Sequence, residues 1–225
     1  MNTTFHKIII LLILALFLAS CDSELRSDKV EQRIIFPSYV IDYNAAHTLL
    51  EAKVCFQSNN ESGEIIKLSK NSSIHFNNEN LKWNSGVYSL KKNDEKNLPD
   101  SLVFQYQNDD ENIFINHLHL KSIEFSDCTL NKNASNQLNF KGKKIEDDES
   151  VTLILTSGDL HYEILLTETE NNTLLIEAAN LGEVTRGTYA GQLLRTTYST
   201  DVNAMDRGGS IEINYLSEIH KVIIQ

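Results

Sequence analysis

His117 and His119 flank Leu118, and residues two apart on a strand point the same way, so the pair could offer two imidazoles to zinc or copper. A zinc site needs further ligands. Nothing in the sequence brings His75, His161 or His220 to this pair, and a polar strand face is the better reading. Ser89-Leu90-Lys91-Lys92 has the Ser-x-x-Lys spacing that lets a lysine one helical turn on activate a serine. Here the neighbouring residues predict a strand, and the partner motifs Ser-Asp-Asn and Lys-Thr-Gly are absent, which makes the match a coincidence. Asp109-Asp110-Glu111-Asn112 could offer oxygens to calcium, but it lacks the spaced acids and central glycine of a calcium loop and reads as a solvated turn. Asp100 and Asp109 would act as acid and base only if the fold brought them together. With no Gly-x-Ser-x-Gly elbow, His-Glu-x-x-His helix, phosphate-binding loop or dinucleotide glycine fingerprint, the expectation is a non-enzyme without a cofactor.

Two further sets of side chains could serve binding or bracing. Tyr189, Tyr198, Arg186 and Arg195 crowd the last third of the chain together with Tyr162 and Arg207, and Tyr and Arg are the types most common at interface hot spots. Strands use the same aromatics in cross-strand pairs, so a partner surface and sheet packing compete for them. Cys55 and Cys128 form a candidate disulfide. Alternation places Cys55 opposite the face of Leu50, Ala52, Val54 and Phe56, so a bond would lie outside a sheet or clip a loop over it.

The elements that must position these residues read as strands throughout. In the first half they are predicted at 33–43, 49–57, 64–68, 73–76, 81–83, 87–90, 101–107, 112–120 and 122–125, with Asn84-Ser85-Gly86 as a tight connection. A second set follows at 151–156, 160–167, 173–178, 184–198, 210–216 and 219–224. Residues 131–149 are rich in Asn, Lys and acids and read as a linker. The expected fold class is all-β, as two antiparallel β-sandwich or barrel-like domains at 33–130 and 150–225. An immunoglobulin-type domain fits badly, because Trp83 is far from Cys55 and Ser126 stands where a tyrosine would precede Cys128.

The amino terminus carries an address. Lys7 precedes an unbroken apolar run from Ile8 to Ala19, the length of a signal-peptide core and short of the ~20 residues that span a bilayer. The run ends in Leu18-Ala19-Ser20-Cys21, which resembles the lipid-attachment box of bacterial lipoproteins. That resemblance implies a signal peptide at 1–20, diacylation of the Cys21 thiol, cleavage before it and acylation of the new amino terminus. A tether is then expected at 21–32. Asp22 resembles the mark that keeps such proteins on the inner membrane, facing the periplasm, in enteric bacteria; the rule varies, and the outer membrane stays open. Two or three acyl chains, at about 0.8 kcal/mol per buried methylene, would make attachment effectively permanent. Gly187-Thr188-Tyr189-Ala190-Gly191 and Gly209-Ser210-Ile211-Glu212-Ile213 resemble the closing strands of small β-rich envelope lipoproteins, a pattern common in antiparallel proteins.

Charge narrows the partners. The chain carries 20 basic and 31 acidic residues, and removal of residues 1–20 takes away only Lys7. Nucleic acid is excluded as a partner, since phosphate binding needs a basic stripe and the densest runs here, 109–111 and 146–149, are acidic. Membrane attachment would rest on lipid rather than charge. The expectation is a membrane-anchored envelope protein that binds or assembles with another envelope protein, against a periplasmic glycan- or peptide-active enzyme or ligand carrier.

Overall fold

Strict alternation of apolar and polar residues lets a strand bury one side, and it recurs in the long strands of both halves of the chain. The computed structural model describes residues 25–96, 98, 101–168 and 172–225. The expected signal peptide at 1–20, Cys21, Asp22 and Asp100 lie outside the described residues. In chain order the strands are β1 (Leu25–Arg26), β2 (Ile35–Asn44), β3 (Leu49–Ser58), β4 (Ile66–Lys67), β5 (Ser73–Phe76), β6 (Glu79–Asn80), β7 (Lys82–Asn84), β8 (Val87–Lys92), β9 (Leu102–Gln107) and β10 (Ile113–Leu118). They continue as β11 (Ile123–Glu124), β12 (Cys128–Leu130), β13 (Asn136–Asn139), β14 (Lys141–Gly142), β15 (Glu149–Ser157), β16 (Leu160–Glu168), β17 (Thr173–Ile176), β18 (Gly187–Ser199), β19 (Ser210–Leu216) and β20 (His220–Ile224).

The result is an all-β, sandwich-like fold. One sheet runs β13-β17-β16-β15-β18-β19-β2-β3-β8-β7, with β20 beside the first half of β18 and β12 beside β20. A second sheet, β10-β9-β5-β6, packs under β2 and β3 through aromatic pairs. Tyr39 meets Phe104 at 4.9 Å between ring centroids, and Phe56 meets Tyr106 at 4.6 Å. Farther along the inner face, Ile123, Phe125, Leu138 and Phe140 are buried in the same apolar cluster as Leu153 and Leu193.

The expected division into two domains is corrected by the sheet itself. β19, from the second half, pairs in parallel with β2 from the first, from Ser210 opposite Ser38 to Leu216 opposite Asn44. Alternation tells each strand which side to bury but not which strand lies beside it, so this joint could not be read from either half alone. The expected linker at 131–149 is likewise part of the body. Asn136–Asn139 pairs with β17, and Leu138 and Phe140 are 4% and 5% exposed. Part of the expected tether is docked too: β1 lies parallel to β4, Ser27 is fully buried, and its hydroxyl accepts from the Ser69 amide at 2.7 Å.

Two local features set the register of the sheet. The Ala45–His47 turn between β2 and β3 is closed by the Asn44 side chain, which accepts from the His47 amide at 3.3 Å, and Thr48 takes a left-handed conformation. Asn44 then faces Leu49, and Asp42 faces Glu51. On β18, Gly191 marks the change of neighbour from β20 to β19. A Cβ there would lie 2.4 Å from Val222 Cγ2 and 3.4 Å from the Phe125 ring, so a larger residue would push the layers apart.

Candidate functional site

The outer face of the long sheet carries a built arrangement of polar groups in its centre. Cross-strand register places Thr196 on β18, Asn214 on β19, Asp42 on β2 and Glu51 on β3 in one row. The Thr196 hydroxyl donates to Asn214 Oδ1 at 2.8 Å, and Asn214 Nδ2 donates to Asp42 Oδ1 at 3.0 Å and to Glu212 Oε1 at 2.7 Å. From the other side, Lys53 Nζ sits 2.9 Å from Asp42 Oδ2 and 3.0 Å from Glu51 Oε2. Like charges opposite one another destabilise a sheet, and here one ammonium separates Asp42 from Glu51 while one amide bridges Asp42 and Glu212. Burial pulls the Lys53 ammonium down, but its hydrogen bonds to Asp42 and Glu51 and their charges more than offset this and hold it above its ordinary value.

Beside this row runs an apolar one. Leu194, Leu216 and Leu49 lie two positions along their strands from Thr196, Asn214 and Glu51, with Asn44 between Leu216 and Leu49. Both rows line an open depression of about 500 Å³. The side chains of Asp42 and Lys53 remain 38% and 36% exposed, so the network is reachable from solvent.

The inner face of the same sheet holds a second charged cluster, in a dry setting. Arg195 is 1% exposed and forms an ion pair with Glu149, while its guanidinium donates to the Lys143 and Lys144 carbonyls at 2.8 and 2.7 Å. Lys121 Nζ lies 2.9 Å from Glu149 Oε1, and the Thr197 hydroxyl donates to the same oxygen at 3.0 Å. Burial pushes the Glu149 carboxyl up, but the hydrogen bonds from Arg195 and Lys121 outweigh it and bring its pKa down to about 2. This cluster fastens the segment before β15 beneath β18.

The sequence candidates separate accordingly. Arg195 and Tyr189 are buried and cannot form a partner surface: Tyr189 is 3% exposed, its hydroxyl donates to the Thr185 carbonyl at 2.8 Å, and its ring meets Tyr162 edge-on. Tyr198 is 45% exposed and donates to Glu61 at 3.0 Å, and Arg186 is exposed near the opposite end of the same strand. The expected disulfide is also corrected. Cys55 and Cys128 are both free and half-buried; Cys55 lies on β3 and donates to the Gly86 carbonyl at 3.4 Å, whereas Cys128 begins β12 and faces Val222. The strand order between them is β3-β2-β19-β18-β20-β12, and at about 4.8 Å per strand they are far beyond bonding range. Burial pushes both thiols up.

His117 and His119 are both exposed, at the end of β10 and just past it. Among the described residues no group of three or more His, Cys, Asp or Glu is arranged to hold a metal ion. Ser89 and Lys92 sit on β8, where a spacing of three puts them on opposite faces, and Lys92 pairs with Glu79. Asp109 accepts from the Ser69 hydroxyl, and its amide donates to Gln32 at 3.2 Å, so this acid fastens the amino-terminal segment. The adjoining turn is closed by Asn108, whose side chain accepts from the amides of Asp110 and Asn112.

Sequence reasoning missed the outer row altogether. Each of Asp42, Glu51, Glu212 and Asn214 is an ordinary polar position in an alternating strand, and only pairing of distant strands brings them together. Among the described residues no helix is long and apolar enough to cross a membrane. No protein-family model and no curated protein matches the chain.

Proposed function

We propose that this chain is a lipid-anchored bacterial envelope protein whose outer sheet face docks another envelope component, without catalysis. The observation that carries this reading is the open depression itself: polar groups already held by one another, bordered by leucines, on a face accessible from solvent. Such a surface needs little reordering to bind, and preorganisation lowers the cost of association. The Leu18-Ala19-Ser20-Cys21 box supports the anchor, and docking of β1 leaves a short lead between Cys21 and the body.

A glycan- or peptide-active enzyme is the competing reading, favoured by the one amide nitrogen that bridges Asp42 and Glu212. Paired catalytic carboxylates are usually driven to different pKa values by a water-excluding site, and this face is open. Palmitate labelling that vanishes in Cys21→Ala, with release of the protein from the membrane fraction, would test the anchor. A photo-cross-linker at Leu216 or Leu194 in the native envelope should give a discrete adduct, whereas one at the exposed Gln137 on β13 should not. A protein solubilised from its own membrane that runs only as a monomer, with no adduct from either leucine, would sink the docking reading.

A further inference from the structure

The arrangement of the depression narrows what it can hold. Along any one strand the outward residues are mixed in character, as in Leu216, Asn214 and Glu212 on β19. Across the strands they are sorted: one row is Leu194, Leu216, Asn44 and Leu49, and the next is Thr196, Asn214, Asp42 and Glu51. The face is therefore amphipathic in the direction perpendicular to its strands. A partner strand added to an edge runs along the strand direction and would meet neither row as a row.

A helix laid across the strands would meet both. Adjacent strands are about 4.8 Å apart and a helix repeats every ~5.4 Å, so apolar residues at i, i+3, i+4 and i+7 present about one side chain per strand. The two rows differ by two residues along a strand, about 6.7 Å, which is within the width of a helix and its flanking side chains. Three carboxylates, Asp42, Glu51 and Glu212, line the depression with no base among its walls; the Lys53 ammonium lies beside it on Asp42 and Glu51, and Lys91 on β8 stands opposite Glu51. Both Asp42 and Glu51 retain exposed surface beyond their contacts with Lys53. The occupant should thus bring positive charge on one flank of an apolar stripe.

We infer that the outer face binds a basic amphipathic helix of about three turns, its leucine-like stripe on Leu194, Leu216 and Leu49 and its Lys or Arg flank on Asp42, Glu51 and Glu212. This rests on the docking reading above and names the chemistry of the partner.

The probe is an 18-residue peptide of Leu and Lys with leucines at i, i+3, i+4 and i+7, titrated by fluorescence anisotropy into the mature lipidated protein in neutral detergent micelles. Empty micelles serve as the blank, and a scrambled peptide of the same composition is the control. Binding should weaken more than tenfold in the triple variant Asp42→Asn, Glu51→Gln, Glu212→Gln. It should be unchanged when the same number of charges is removed elsewhere, at the exposed Asp147→Asn, Asp159→Asn and Glu183→Gln. Leu216→Ser provides a second variant that leaves every charge in place and should also weaken binding. Equal binding of the scrambled peptide, or equal loss in both charge variants, would show attraction to net charge alone and overturn the inference. Absence of binding by the helical peptide would overturn it as well. In either case an adduct from Leu216 in the native envelope would leave the docking reading standing with a different partner, while failure of both experiments would remove the two together.

Discussion

Two charged networks lie back to back on one sheet, and their contrast shows how burial assigns roles to the same kinds of side chain. Beneath β18 the side chains of Arg195 and Glu149 are shielded from water, at 1% and 0% exposure, with Lys121 18% exposed at the rim. Above β19, β2 and β3, Lys53, Asp42, Glu51 and Asn214 make a similar number of contacts at similar distances but stay within reach of solvent. A buried charge that loses its partner retains its whole desolvation penalty, whereas an exposed one is rescued by water. The inner network therefore holds the fold, and the outer one can exchange its internal contacts for those of a ligand.

The largest expected effect tests the inner side. Arg195→Ala leaves the buried Glu149 carboxylate with Lys121 as its remaining cation and should cost about 3 kcal/mol in urea unfolding of the protein. A loss of the size seen at exposed pairs would erase the contrast. Removing both charges sharpens it: Arg195→Met with Glu149→Leu should recover much of that loss, because a buried ion pair can be replaced by apolar groups of similar volume at little net cost. Acid supplies the next test. With its pKa held at about 2 against 4.5 for a free glutamate, Glu149 adds stability at pH values above 4.5, and that contribution disappears as pH falls through this range toward 2. Melting temperature measured from pH 5 to pH 2 should fall less steeply in Glu149→Gln than in the parent. The smallest effect belongs to the outer side: Asp42→Asn should change unfolding free energy by less than about 1 kcal/mol. A larger cost would make the outer row part of the scaffold rather than a surface held ready for a partner.

Strand positions were legible because alternation is local. The predicted runs at 49–57, 73–76 and 210–216 coincide, to within a residue at either end, with Leu49–Ser58, Ser73–Phe76 and Ser210–Leu216. The turn at Asn84-Ser85-Gly86 was equally legible, and Ser85 and Gly86 both take positive φ there. The short pairings went unread. β12 and β13 lie in polar sequence with one or two apolar residues each, β14 is only Lys141-Gly142, and what makes them strands is the neighbour that accepts them, as β20 accepts Cys128–Leu130. Arg195 stays undecided between packing and a partner surface in the sequence for a related reason. Arginine is seldom fully buried, and its exception depends on Glu149 and two carbonyls that lie about fifty residues away in the chain.

By itself the sequence determined the all-β class and the side of each long strand that turns inward, since these follow from residue type and a period of two. Tertiary structure alone decided that the two halves share one sheet, that Cys55 and Cys128 lie too far apart to bond, and that Asp42, Glu212 and Asn214 meet across the parallel joint of β2 and β19. The physical reason is that backbone hydrogen bonds between strands are alike whatever the side chains, so the choice of neighbour is made by the packing of the whole core.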